Sequence, residues 1–373
     1  MTEWRFIAQR ATTKEFLDLD VPLRREELKW ELSGAGALRA TISPDVGTMR
    51  ASDGRLLLEE WGTLLYAEAD GEIRWGGIVI SSKFDGPKWT VEAAGFTSYL
   101  HGLAYAGDYS KIQIDPVDAV MEIWRHVQSY PDGDLGVVVT GDKTPVRIGT
   151  ATEKKSFTTG AGENVSFESG PYALNWWSNQ DCGKELEDLA KETPFDFQER
   201  HYWSGDEIKH ELQIGYPRLG RRRTDLAFIQ GDNVTRVVTP TIDGDDFANE
   251  VLGLGAGEGK GAVHRTTAVR DGRLRRSYVY TAKDVTSASR MDALIRDQLQ
   301  RRGLSLDITS ITVRDHPNAR IGSWTVGDDV LVQATIPWLG DVELWCRIVG
   351  WTLLTEHTAT LSLKRSDAFT YGG

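Results

Sequence analysis

Along the first hundred residues, apolar and polar positions alternate in short runs broken by turn residues, and the pattern predicts strands. LLYAEADGEIRWGGIVI places Asp70-Gly71 between two β-favouring runs, the signature of a two-residue hairpin whose central residues both need positive φ. A second turn at Asp85-Gly86-Pro87 leads into a strand through Trp89, Val91 and Ala93. Strands that repeat this closely without intervening helices favour a barrel or sandwich over a βαβ sheet. Near residue 107 the period changes. Asp115-Pro116 followed by Val117, Val120, Met121, Trp124 and Val127 reads as an Asp-capped helix ending at Tyr130-Pro131. A shorter helix is expected from Asp181 to Lys191, with Leu186, Leu189 and Ala190 on one face. From about Asp225 the β pattern returns. Asp271-Gly272 is expected to join TTAVR to LRRSYVY as a hairpin. A helix follows over about 286–302, capped by Thr286 or Ser287, with Gly303 at the position of a C′ glycine. The fold class expected is therefore β-rich α+β, with two related β-barrel modules flanking an α+β insertion. Residues 1–106 form the first module, 107–230 the insertion and 231–373 the second module.

The relation between the modules rests on an ungapped match. EIRWGGIVISSKFDGPKWTVEA against VELWCRIVGWTLLTEHTATLSL lays Trp75 on Trp345, Ile78 on Ile348, Val79 on Val349 and Thr90 on Thr360. Each segment follows a Gly/Asp turn, Asp70-Gly71 and Gly340-Asp341. Two unrelated amphipathic hairpins can share this much; a duplicated module is the sharper reading.

Composition narrows the function. Among 373 residues, 43 Lys and Arg face 55 Asp and Glu, a net charge of −12. That balance argues against non-specific nucleic-acid binding, which relies on cationic phosphate contacts. Two cysteines, Cys182 and Cys346, are too few for a disulfide framework or a four-thiolate zinc site. No apolar stretch approaches the roughly 18 residues of a membrane span, and the first residues show no secretory h-region. The 38 glycines and 13 tryptophans suit many tight turns and many aromatic anchors.

Candidate chemistry fails on spacing. GLGAGEGKGAV (253–263) lacks the glycine, serine and threonine positions of a phosphate loop and fits no dinucleotide fingerprint. His210-Glu211 has Ile214 where a second zinc ligand would stand. No G-x-S-x-G elbow occurs, and Cys182 reads as a small buried residue at a helix start. Asp243, Asp245 and Asp246 suit either a hard cation or an ordinary turn. Trp75, Trp89, Trp345 and Trp351 lie in strand patterns as core or interface anchors, whereas Trp176-Trp177 is a candidate for exposed contact. The basic island of Arg218, Arg221, Arg222 and Arg223 reads either as a solvated loop paired with nearby acids or as a candidate partner contact, docking on an acidic neighbour or touching passing DNA. No catalytic, cofactor or metal residue is assigned.

TTGAGENVSFESGPYALNWWSNQDCGKELEDLAKETPFDF, IGYPRLGRRRTDLAFIQGDNV and DDFANEVLGLGAGEGKG resemble the minor tail proteins of long-tailed phages infecting actinobacteria. So do the opening LDLDVPLRREELKWELSGAGALRATISPDVG and the closing WTVGDDVLVQATI and SDAFTYGG. The resemblance spans nearly the whole chain. It implies a tail-tip hub related in fold to the baseplate hub of contractile-tailed phages: a homotrimer with two β-barrel modules per subunit, hence a ring of six. Such a ring matches a hexameric distal tail protein, with the tape measure protein and further minor tail proteins as neighbours. The implied place is the virion tail tip, after synthesis in the host cytoplasm. The implied role is structural and not enzymatic: closing the tube, seeding tail assembly and opening for DNA ejection. Three copies would carry −36, so DNA would pass without being held. The rival readings are a cell-wall polysaccharide hydrolase using paired carboxylates and a carbohydrate-binding adhesin using Trp176-Trp177. The chain end at Gly373, directly after the second β block, is expected to carry no appended fibre or hydrolase.

Overall fold

A computed structural model describes residues 4–366 apart from 159–163, 194, 243, 246, 258, 283, 284, 286, 304, 305 and 338. The first module contains β1 (Trp4–Arg10), β2 (Phe16–Asp18), β3 (Arg24–Glu31), β4 (Ala37–Ile42), the four-residue helix α1 (Pro44–Gly47), β5 (Thr63–Ala69), β6 (Glu72–Asp85) and β7 (Lys88–Ala94). The expected hairpin joins β5 to β6, with Asp70 at φ 54° and Gly71 at φ 79°. Gly86-Pro87 joins β6 to β7, closed by Asp85 opposite Lys88. Alternation along these strands is what divides their two faces. Leu65, Ala67, Trp75, Val79, Val91 and Ala93 enter one core, whereas Ile7, Leu64, Tyr66 and Ile78 enter another.

That second core is shared with the insertion, which comprises β8 (Asp108–Lys111), α2 (Pro116–Gln128), β9 (Val137–Gly141), β10 (Glu153–Thr158), β11 (Asn164–Ser169), β12 (Tyr172–Asn175), α3 (Cys182–Glu192), β13 (Asp196–Ser204) and β14 (Glu207–Gly215). Both helices start as their sequences dictate. Asp115 accepts from the Val117 amide with Pro116 in the first turn, and Asp181 accepts from the Lys184 amide. Helix α2 buries Val117, Val120, Ile123, Trp124 and Val127 in that shared core, beside α3 and β9, while β13 packs on β6 of the first module. The insertion is thus clamped to the sheet rather than tethered by linkers.

The remaining elements are β15 (Arg222–Ile229), β16 (Thr241–Ile242), β17 (Glu250–Leu254), β18 (His264–Ala268), β19 (Ser277–Thr281), α4 (Ala288–Arg302), β20 (Leu306–Asp307), β21 (Ser310–Arg314), β22 (Asp329–Ile336), β23 (Gly340–Thr355) and β24 (Thr358–Arg365). Strand β15 lies within the stretch 107–230 but pairs in parallel with β22, so its sheet is that of the second module. Between β15 and β21, α4 packs on the sheet β18-β17-β19 around a small core of its own: Val251, Val285, Met291, Ile295 and Leu299.

Three local expectations need correction. Asp271-Gly272 does not close a hairpin: β18 and β19 flank β17 on opposite edges, one antiparallel and one parallel. The apolar β17 takes the centre, and the buried Asn249 side chain holds the crossover by bonding Asp271, the Leu274 carbonyl and the Arg276 amide. Gly303 ends α4 at φ −73°, in right-handed rather than left-handed geometry. Ser287 caps that helix, and Thr286 lies outside the described residues. Gly340-Asp341 is not the turn before β23, because both belong to the strand and Ile336 already faces Gly340.

The internal match has a structural counterpart. In chain order β4, β5, β6 and β7 lie side by side as β4-β7-β6-β5, all antiparallel, and β21 to β24 lie as β21-β24-β23-β22. The shift that lays Trp75 on Trp345 also lays the closing pair Asp85–Lys88 on Thr355–Thr358. Each long strand has a bulge within one residue of the same height, between Val79 and Ser81 and between Ile348 and Gly350, which bends it and raises local twist. The flanks differ: β1 is antiparallel to β5, β15 parallel to β22. Strand β3 pairs with both β4 and β23, so the two units merge into one 12-stranded sheet. At that seam the Trp30 and Trp351 rings stack at 3.8 Å.

Candidate assembly surfaces

Of the four arginines in the basic island, two are absorbed by the protein itself. Arg223 at the start of β15 is buried, reaching Asp328 at 3.0 Å, the Ser323 carbonyl at 2.7 Å and both oxygens of Asp225. Its guanidinium holds the Asp225 carboxyl down at about 2. Arg218 bonds Asp329 at 2.8 Å. Arg222 is exposed but lies over the Trp345 ring at 3.9 Å, and Arg221 is exposed with its amide bonded to Asp328. Only Arg221 and Arg222 are presented to solvent.

The sequence reading missed a buried arginine beside this cluster. Arg347 on β23 has none of its side chain exposed. It donates to Asp196 on β13, to the Leu219 carbonyl at 2.9 Å and to the Gly327 carbonyl at 3.1 Å. Together these bonds tie the insertion, the 216–221 loop and the second module. The available signal was Asp328-Asp329, an acidic pair matching the arginine run in charge; the lone Arg347 inside an apolar strand was the other.

Trp176 and Trp177 do reach the surface, 64% and 58% exposed, on a single 3₁₀ turn after β12. Their rings meet edge to face at 5.5 Å, and the Trp176 amide is fixed on the Gly107 carbonyl. Trp75, Trp89 and Trp351 are buried, as strand anchors should be.

A cleft of about 980 Å³ opens where the two modules and β13 meet, walled by Trp4, Trp30, Trp203, Trp324 and Trp351. Two of its carboxylates, Glu199 and Glu31, are already engaged. Glu199 accepts from the Phe96 and Thr97 amides and the Thr97 hydroxyl at 2.6–2.7 Å, and Glu31 pairs with Lys29. Behind the cleft, His201 and His210 pair Nδ1 to Nδ1 at 3.0 Å, with the Tyr66 hydroxyl 3.3 Å from His210. Burial pushes His210 down to about 2, helped by His201 and the charges of Lys14 and Lys209.

The other candidates settle into structural places. His210-Glu211 lies in β14, not in a helix. Burial raises the Cys182 thiol to about 11, which keeps it protonated at neutral pH. The 253–263 run links β17 to β18, and its first glycine serves packing: a Cβ on Gly253 would lie 2.5 Å from Ile295 and Met291 of α4. Asp243 and Asp246 lie outside the described residues, and among the described residues no three His, Cys, Asp or Glu side chains group to hold a metal. No described helix is long and apolar enough to cross a membrane.

Comparison with known proteins defines the fold class. No family model matches the chain, and no curated protein matches it. Solved structures do. The 43 kDa tail protein of prophage MuSo2 from Shewanella oneidensis superposes with a TM-score of 0.60 at 15% identity, covering 98% of this chain and 99% of that one. A tail protein from Neisseria meningitidis gives 0.56 at 15% identity, covering 97% of each chain. A prophage tail protein from Listeria monocytogenes gives 0.56 at 11%, covering 98% of this chain and 95% of that one. The chain therefore has the β-rich fold of phage tail proteins over 97–98% of its length.

Proposed function

We propose that this chain is the structural hub at the tip of a phage tail, of the kind its sequence resembles in phages of actinobacteria. Three copies form a ring of six related modules, one from residues 1–106 and one from 231–373 together with β15. The insertion, 107–221, packs outside the first module. The ring meets a hexameric distal tail protein, with the tape measure protein and other minor tail proteins as neighbours, and opens to let DNA pass. The observation that carries this reading is the repeated order β4-β7-β6-β5 and β21-β24-β23-β22, because two like units per chain turn three chains into six positions. The shared fold of three tail proteins, two of them from prophages, supports the tail as its setting. Imaging of tails tagged at Gly373 is expected to place three labels at one tip. Label along the tube overturns the proposal.

A second role at the same tip is favoured by the exposed Trp176–Trp177 pair, whose two perpendicular rings suit stacking on sugar faces. Trp177→Ala is then expected to abolish binding to host cell-wall glycan while leaving oligomerisation unchanged. Unaltered glycan binding dismisses the role.

A further inference from the structure

Strands β6 and β23 are equivalent, yet one of their edges is treated differently. Each pairs its first half with the preceding strand and its second half with the following one, on opposite edges. Ile78 faces both Leu64 and Ala94, and Cys346 faces both Val330 and Arg365. Beyond the end of β5 or β22, each long strand is left with an edge that its own module does not cover. In β23 that edge is filled: Gly350–Leu353 pair with Glu31–Leu28 of β3. The equivalent residues of β6, Ile80 to Lys83, face β7 on one side and, among the described residues, no strand on the other. The last backbone bond on that side is from the Trp61 amide to the Val79 carbonyl. An open edge with apolar neighbours is a template for another chain, and Phe84 beside it is 66% exposed.

The second module also carries an unused counterpart of β3. The early part of β3 pairs with β4 and its later part reaches β23. In the same relation to β21, Val234 bridges Val313, and the Thr235 amide bonds the Thr312 carbonyl. Past that point the chain enters no strand until Thr241, and Val237 is 68% exposed. Carrying the register of β3, with its bulge between Arg25 and Glu27, across to this segment brings the Val237–Val238 step to the height of Phe84.

We propose that the free edge of β6 takes a strand from a second copy of this chain, supplied by Arg236–Thr239, so that the β3–β23 junction within each chain is repeated between chains. The inference rests on the hub reading, since it names the contact that closes the ring. Burial of Phe84 against Val237 and strand addition along the edge act together, backbone bonds giving affinity and the apolar pair fixing register.

The test uses tails assembled with this chain. Native Cys182 and Cys346 are both buried, so introduced thiols report cleanly. Under mild oxidation Phe84→Cys with Val237→Cys is expected to give covalent dimers and trimers, whereas Phe84→Cys with Val269→Cys stays monomeric on denaturing gels. In the unsubstituted chain, hydrogen exchange at Ser81–Phe84 is expected to slow by about tenfold or more in tails relative to isolated monomer. Three copies at the tip with no cross-link and unchanged exchange overturn this contact and leave the hub reading standing. One copy per tip overturns both.

Discussion

Arg347 brings a full charge into the seam between the insertion and the second module, where Asp196 and two carbonyls meet it. Removing one partner of such a buried pair leaves the other uncompensated, which costs roughly 3–5 kcal/mol. Arg347→Met is therefore expected to lower the urea midpoint sharply, whereas Arg221→Met, on an exposed side chain, leaves it nearly unchanged. Equal midpoints for the two variants contradict this account. His210 sets a pH limit of its own. Burial depresses it to about 2 in the folded chain, against an ordinary value near 6.5. Below pH ~6.5 the unfolded chain binds a proton that the folded chain refuses. The stability is thus complete above that pH and declines as pH falls towards 2. At pH 5 the loss is roughly 2 kcal/mol from this group. Urea unfolding at pH 7 and pH 5 checks it: His210→Phe should remove about that much of the difference, and an unaltered difference would falsify the assignment.

At the scale of elements, legibility followed locality. The caps Asp115 and Asp181 and the turns Asp70-Gly71 and Gly86-Pro87 depend on a few adjacent residues, so their chemistry is visible in the sequence. Asp271-Gly272 has the same local signature, yet its strands part around the apolar β17, and Asn249 holds the crossover from 22 positions away. The arginine island was visible as composition, but apart from Asp225 the acids that absorb Arg218 and Arg223 lie over a hundred residues on. The repeated unit was visible because both copies keep one spacing from strand to turn to strand; the seam through β3 was not, since nothing in β3 marks it for a second partner. The glycine run near 253 is the reverse case, a motif whose meaning is packing. Gly253→Ala would press a methyl into Ile295 and Met291 at 2.5 Å, and overpacking of this kind costs about 1–3 kcal/mol. Amide exchange across α4 is expected to accelerate while the β6–β7 hairpin holds its rate. A uniform response over both would mean that α4 and its sheet are not a separate unit.

At the scale of the whole molecule, charge and fold bear on how DNA meets this protein. Non-specific binding needs several cationic side chains free to displace counterions, and typically yields dissociation constants of about 10⁻⁴ to 10⁻⁶ M. Here the chain carries −12, and its densest basic run is half consumed: Arg218 and Arg223 neutralise Asp329 and Asp328, while Arg222 lies on Trp345. Arg221 and Arg222 remain outward, too few to offset the surrounding acid at long range. Duplex DNA is therefore expected to run unretarded beside about 10 μM protein, even at low salt where electrostatic binding is strongest. Asp328→Asn with Asp329→Asn would remove two of the carboxylates that offset these arginines and should begin to retard it. A retarded band with the unsubstituted chain would instead show that the two exposed arginines suffice, and a ring that grips DNA in this way would slow the passage that the hub is proposed to permit.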